Sequence, residues 1–170
     1  MTDRIGALGA MVNAEILHTA HKKAHSAVES ALKQFYVEFK DEALVVDKWF
    51  TLQASACTTD VAKIRKLLKH PAFTLHNPNR ARSLIFAFCN ANPAQFHAID
   101  GSGYALWCHL VVELNTINPQ VAARLARSMD RWRKFTPELQ KQMQAALKKV
   151  AATKNMSKDV LEIVNKALAE

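Results

Sequence analysis

Glycine is scarce in this chain, four in 170 residues, and nowhere does apolar–polar alternation run long enough to suggest a strand. That leaves helices. No apolar run approaches the roughly 20 residues that span a bilayer. The opening MTDRIGALGAMV has no basic region before an apolar core and no cleavage site, so it does not read as a signal peptide. It runs straight into helical periodicity, as a piece of a larger protein would. Cysteines are few: Cys57, Cys89 and Cys108 are odd in number, scattered and without CxxC spacing. Cys89 and Cys108 stand in apolar stretches and read as reduced, buried small hydrophobes, which points to the cytoplasm. Missing too are H-E-x-x-H, G-x-S-x-G, a P-loop and a dinucleotide fingerprint. Gly101-Ser102-Gly103 is too short for a nucleophile elbow or a phosphate loop and reads as a turn after Asp100. No catalytic residue and no cofactor are assigned within the chain.

What is present is globular: 49% hydrophobic residues with a formal net charge of +8. The length suits a single helical domain over residues 1–170. The charge makes nucleic acid, membrane surface or acidic partners thinkable without establishing any of them. Four of the five prolines follow a capping residue, in Asn77-Pro78, Asn92-Pro93, Asn118-Pro119 and Thr136-Pro137. Such pairs start helices, because the side chain caps free N–H groups and proline needs no donor in the first turn.

Between these starts run apolar stripes at helical spacing. Ile5, Leu8 and Val12 follow Thr2, a possible cap. Val28, Leu32, Phe35 and Phe39 come next, and EALVVDKWFTLQA (42–54) is apolar on more than one side. Thr59-Asp60 caps a helix with Val61, Ile64, Leu67 and Leu68 inward, ended by His70-Pro71. Asn77-Pro78 opens a helix to about Asn90, and Tyr104–Leu114 is apolar nearly all round. Val121, Leu125, Met129 and Trp132 stripe a helix over Pro119–Lys134. Leu139, Met143, Leu147 and Val150 mark the next, and Ser157 caps the last, with Val160, Leu161, Val164 and Leu168 inward. Successive antiparallel hairpins without strands fit an all-α fold, an irregular α-solenoid or superhelical stack.

Four polar groups on these helices invite chemistry. Stepping about 100° per residue from Ala81, Arg82 falls on the arc of Leu84, Ile85, Phe88 and Cys89, with Asn79, Ser83 and Asn90 opposite. A buried arginine needs a partner, either a structural salt bridge or a ligand in a cavity wall. His109 and Glu113, four apart, read as a hydrogen-bonded pair at a helix–helix contact or as an acid/base pair. His18, His21 and His25 have a conceivable metal spacing, but no carboxylate or cysteine completes the set and they read as a solvated face. Arg124, Arg127, Arg131 and Lys134 form a basic stripe, read as solvated and partly paired rather than as a nucleic-acid surface, because no aromatics interleave it.

The segments VVDKWFTLQA, FTLHNPNRARSLIFAF, NPAQFHAIDGSGY, LNTINPQVAARL and NKALAE, in this order, resemble the C-terminal domain of bacterial aminopeptidase N, a zinc metallopeptidase family. The resemblance runs from about Leu44 to Ala169 and is weaker before it. It implies a parent in which a zinc-bearing catalytic domain removes N-terminal residues from peptides, while an all-helical C-terminal domain encloses the chamber. The zinc ligands would lie upstream of this chain, making the upstream catalytic domain and peptide substrates its partners, with no nucleic acid and no membrane. Carried over by motif, Arg82 of NPNRAR and Arg124 of VAARL match chamber-lining arginines that would hold the distal end of a peptide. The competing reading is a free-standing helical-repeat binding module for protein or nucleic acid.

Overall fold

Apolar residues three and four apart, separated by caps, fold into helices and turns with no strand among the described residues, 1–14 and 22–169 of the computed structural model. The elements gather into two compact units, Met1–Thr74 with Asn79–Gln95, and Leu75–Pro78 with Phe96–Glu170. The histidines at 18 and 21, and the side chain of His25, lie outside the described residues.

In the first unit, α1 (Thr2–Ala14) buries Leu8 and Val12, and α2 (Lys22–Phe39) buries Val28, Leu32 and Phe35. Thr2 is the first residue of α1 rather than its cap. α3 (Ala43–Ser55) is the central element, burying Val45, Val46, Trp49, Phe50, Gln53 and Ala54. The Trp49 indole N–H donates to the Leu32 carbonyl at 3.0 Å, tying α3 to α2. Asp60 starts α4 (Val61–Leu68) by accepting from the Lys63 N–H at 2.8 Å, and Ile64 and Leu67 turn inward. The helix from Pro78 has the expected length but is not uniform. It runs as α5 (Pro78–Ala81), a π-helical turn over Arg82–Phe86, and α6 (Ala87–Ala91).

Asn92 does more than start the short α7 (Pro93–Phe96). Its Oδ1 accepts from the Gln95 N–H at 3.3 Å, as the Asn-Pro pattern predicts. Its Nδ2 donates to the carbonyls of Ala54, Ala56 and Thr59 at 3.0, 2.7 and 3.0 Å. The residue is fully buried. One amide thus reaches all three carbonyls where α3 ends and the chain turns toward α4. The Ala56 carbonyl also accepts from the Thr59 N–H at 2.9 Å, while those of Ala54 and Thr59 would otherwise be stranded away from water.

In the second unit the Asp100 turn holds as read: the Ser102 N–H donates to the Asp100 carboxylate at 3.0 Å, and Gly101 takes φ +70°. Gly103 is required by proximity, since a Cβ there would lie 2.2 Å from the Phe96 carbonyl oxygen. α8 (Ser102–Ile117) buries most of its circumference and packs against α9 (Pro119–Ala126) and α10 (Pro137–Ala151). Asn118 caps α9 through the Val121 N–H at 3.1 Å, whereas Thr136 makes no capping bond to α10. α11 (Lys158–Ala169) packs on α9 and α10. Ser157 caps it, and Asn115 braces its approach: Nδ2 donates to the Asn155 carbonyl at 3.1 Å and Oδ1 accepts from the Ser157 N–H at 2.9 Å.

The helix expected over Pro119–Lys134 stops at Ala126 and continues as 3-10 turns over Arg127–Met129 and Trp132–Lys134. Two contacts account for the break. The Trp132 indole N–H donates to the Ala167 carbonyl at 2.9 Å, and the Arg133 guanidinium donates to the carbonyls of Ala167 and Leu168 at 2.7 and 2.9 Å. These side chains close the C-terminus of α11, where open carbonyls and the helix dipole attract a donor cation. The stripe Val121, Leu125, Met129 and Trp132 remains buried despite the break.

Candidate functional site

The π turn decides which arginine is inside. A turn with i→i+5 bonding advances each residue by less than an α-helical turn does and so displaces the following face. Ahead of it, the buried side of the first turn holds Arg80 and Ala81, and within it Ser83, Leu84 and Ile85 continue that side. Arg82 is therefore exposed, not on the buried arc that uniform stepping assigns to it, and Ser83 is buried rather than on the polar face. The Arg82 guanidinium donates to the Asn79 side-chain oxygen at 3.1 Å, within its own helix.

Arg80 occupies the role that uniform stepping gave to Arg82. Its guanidinium lies 3.2 Å from the Asp47 carboxylate of α3 and 5.3 Å from the centroid of the Phe50 ring. Ser83 Oγ donates to the Arg80 carbonyl at 2.8 Å and reaches the same Asp47 oxygen at 3.5 Å. The structural salt bridge foreseen for a buried arginine thus exists, two residues earlier. Its sequence signal was the lone carboxylate inside VVDKWF, a charge with apolar neighbours that must find a cation.

Beside this pair stands a ring cluster that the sequence reading did not single out. His70 packs against Tyr36, Trp49 and Phe50 with centroids 4.6, 5.2 and 5.6 Å away, and Phe73 meets Phe50 edge-on at 5.8 Å. His70 Nδ1 accepts from the Ala72 N–H at 3.2 Å. Burial first, and the positive charge of Arg80 second, hold the His70 imidazole below its ordinary pKa.

In the second unit Arg124 is exposed on α9. It has no ion-pair or hydrogen-bond partner among the described residues and lines a shallow depression of about 330 Å3 with Arg127, Asp159 and Glu162. The basic stripe is not continuous, because the helix that would carry it ends at Ala126. Arg127 lies 3.8 Å from Asp130. His109 and Glu113 meet at 3.5 Å on the exposed side of α8, a surface i,i+4 contact and not a helix–helix one. His97, whose ring meets Phe135 at 4.3 Å, has its pKa lowered by burial, and its Nδ1 lies 2.9 Å from the Tyr104 hydroxyl. Burial pushes the Tyr104 hydroxyl up to about 12.

Among the described residues no group of three or more His, Cys, Asp or Glu side chains could hold a metal ion. The donor set for a catalytic zinc is therefore not assembled by these residues. The three cysteines are free thiols, with Cys89 and Cys108 buried and both raised in pKa by burial. No helix of the described residues is long and apolar enough to cross a membrane.

Comparison with known proteins agrees with the geometry. Residues 1–169 match the family described as a domain of unknown function (DUF3458_C) with ARM repeats, which fits an all-α helical solenoid. The chain is 40% identical over 170 residues to aminopeptidase N of Escherichia coli (strain K12), covering 99% of this chain and 18% of that protein. The match is to that protein's C-terminal part. Aminopeptidase N of Haemophilus influenzae (strain ATCC 51907 / DSM 11121 / KW20 / Rd) is 38% identical over 169 residues, again 99% of this chain and 18% of the relative. A crystal structure of Legionella pneumophila aminopeptidase A in complex with aspartic acid superposes with a TM-score of 0.88 at 30% identity, covering 99% of this chain and 19% of that one. The chain spans about a fifth of the length of these proteins.

Proposed function

This chain belongs to the ARM-repeat domain family that its residues 1–169 match, and from that premise we propose that it is the non-catalytic C-terminal domain of a cytoplasmic zinc aminopeptidase. One observation carries the reading: 99% of the chain corresponds to 18% of aminopeptidase N. The remainder of such a parent has room for the catalytic domain that this chain lacks. In this reading the zinc, its ligands and the general base belong to the upstream domain, which removes N-terminal residues from peptides. Residues 1–170 act as a single domain that closes the chamber.

Arg82 and Arg124 are the residues proposed to meet substrate. Each would hold the carboxylate or carbonyl groups at a peptide's distal end through charge-assisted hydrogen bonds. Their exposure supports this role better than burial would: both guanidinium groups are open to an incoming group. Neither is committed to an ion pair among the described residues, and Arg82 holds only a neutral amide oxygen. Free thiols are in keeping with a reducing compartment.

The test uses the parent enzyme. Arg82→Ala and Arg124→Ala should each lower kcat/KM for peptides that reach across the chamber by about tenfold to a hundredfold, the equivalent of losing one charge-assisted bond. Single-residue chromogenic substrates should change much less. Equal losses on long and short substrates at an unchanged melting temperature would overturn the distal-end role. The isolated chain should hydrolyse no alanyl chromogenic substrate and bind no stoichiometric zinc, and hydrolysis by pure, metal-analysed chain would sink the assignment of a non-catalytic domain.

A further inference from the structure

One cavity of the first unit serves neither the arginines nor the buried ion pair. It is a cleft of about 600 Å3 between α2, α3 and α4. Leu32, Leu67, Tyr36, Trp49 and His70 line it. Tyr36 and Trp49 lie 5.1 Å apart with their planes tilted by 39°. His70 meets Tyr36 edge-on at 4.6 Å and Trp49 at 5.2 Å and 52°. The three rings, that of Trp49 largely buried, thus form an aromatic corner that offers both faces and edges. Trp49 and His70 are both fixed in place, the indole by the Leu32 carbonyl and the imidazole by the Ala72 N–H. Because His70 Nδ1 accepts that bond, the proton of the neutral ring is on Nε2, which has no hydrogen-bond partner among the described residues.

The charges around this surface are unequal. Lys33, Lys63 and Lys66 line the cleft with Glu29 and Asp60. Lys63 is taken by Glu29 at 3.1 Å, and the Asp60 carboxylate accepts from the main chain at the start of α4. Lys33 and Lys66 are exposed and carry no ion pair among the described residues. An aromatic surface flanked by two uncommitted ammonium groups and an imidazole N–H complements a planar ring bearing a negative group. An aliphatic acid would forgo the ring contacts, and a neutral aromatic would forgo the lysines.

We propose that the cleft between α2, α3 and α4 binds a small aromatic carboxylate, with its ring against Tyr36, Trp49 and His70 and its carboxylate facing Lys33 and Lys66. The volume, within the range of small-molecule sites, admits a ligand of one or two fused rings. The proposal is independent of any peptidase role.

The test is a titration of the 15N-labelled chain with 2-naphthoate, read at the three tryptophan indole N–H signals. Trp49 lines the cleft, while Trp107 and Trp132 donate to Leu125 and Ala167 in the second unit and serve as internal controls. The Trp49 signal should shift saturably and the other two should stay. The neutral analogue 2-naphthylmethanol should bind about threefold to fivefold more weakly, the scale of a solvent-exposed charge contact. Hexanoate should produce no saturable shift. The double variant Lys33→Gln, Lys66→Gln should bring 2-naphthoate to the affinity of the alcohol without changing the alcohol's own, and unmoved Trp107 and Trp132 signals would certify its fold. Parallel shifts of all three indoles, or no saturation at Trp49, would overturn the site. Equal affinity for acid and alcohol would overturn the assignment of the ligand as an acid.

Discussion

The two units solve the same packing problem with different chemistry. Of the six buried polar or charged residues described, Gln53, Thr59, Arg80, Ser83 and Asn92 belong to the first unit and only Asn115 to the second. Both units anchor tryptophans by an indole N–H on a main-chain carbonyl: Trp49 in the first, Trp107 and Trp132 in the second. The first adds a buried ion pair and an amide bonded to three carbonyls. The second relies on apolar stripes, one asparagine brace and a glycine that lets α8 touch the Phe96 carbonyl. A buried polar network adds little net stability when satisfied and costs much when one member is removed. The first unit should therefore be the more fragile to polar truncation.

The strongest break in that comparison is Asn92→Ala. It strands the buried carbonyls of Ala54 and Thr59, while Ala56 keeps the Thr59 N–H, and it removes the cap of α7. It should therefore destabilise by about 2–6 kcal/mol, given about 1–3 for each unsatisfied group. Urea denaturation gives the magnitude. Native-state amide exchange locates it, and faster exchange should be confined to the first unit. Exchange that rises equally in both units would show that they unfold together and would remove the basis for treating them separately.

Arg80→Met comes next, at about 3–5 kcal/mol, because Asp47 is left charged and largely buried without its cation. The double variant Arg80→Met, Asp47→Leu should recover most of that loss, since two apolar side chains need no partner. A double variant as unstable as the single one would mean that the contact of Arg80 with Phe50, rather than its charge pairing, holds the unit. In the second unit Asn115→Ala should cost less, about 1–3 kcal/mol in all, because the donor and the acceptor it strands are only part-buried and water can replace the amide. If it matched Asn92→Ala, the contrast between the units would fail.

Much of this was legible in the residues, and the failures share a cause. Caps at Asp60, Asn92, Asn118 and Ser157 and the stripes between them needed only local rules. Uniform stepping failed at Arg82 because the π turn follows from how Arg80 and Ser83 meet Asp47, 33 and 36 positions away in the chain. It failed beyond Ala126 because Trp132 and Arg133 answer to the end of α11, 34 and 35 positions on. The three bonds of Asn92 to carbonyls were invisible for the same reason: the Asn-Pro pattern tells of the cap ahead of it and nothing of the chain turn behind. Arg82 and Arg124 entered through resemblance, since helical spacing alone favoured a salt bridge for one and a solvated face for the other.

The smallest expected effect compares the two shifted histidines. Both His70 and His97 have pKa values below the ordinary 6.5 through burial, but only His70 also feels a cation, Arg80. The folded state thus resists protonating either ring, while the unfolded chain takes up protons as pH falls through about 6.5. Between the folded and unfolded values the unfolded state binds more protons, so stability is fully present above 6.5 and is lost as pH falls toward the lower folded values. Imidazole signals followed by NMR separate the two sites. Arg80→Met should raise the His70 pKa, because the repelling charge is gone, and leave His97 where it was. Asp47→Asn, which keeps Arg80 and removes its counter-charge, should move His70 the other way. Two variants with opposite signs guard against reading general loosening as electrostatics, since loosening would admit water and raise the His70 pKa in both. A rise in both would assign the shift of His70 to burial alone, and a matching change at His97 would mean that the two units do not keep their electrostatics apart.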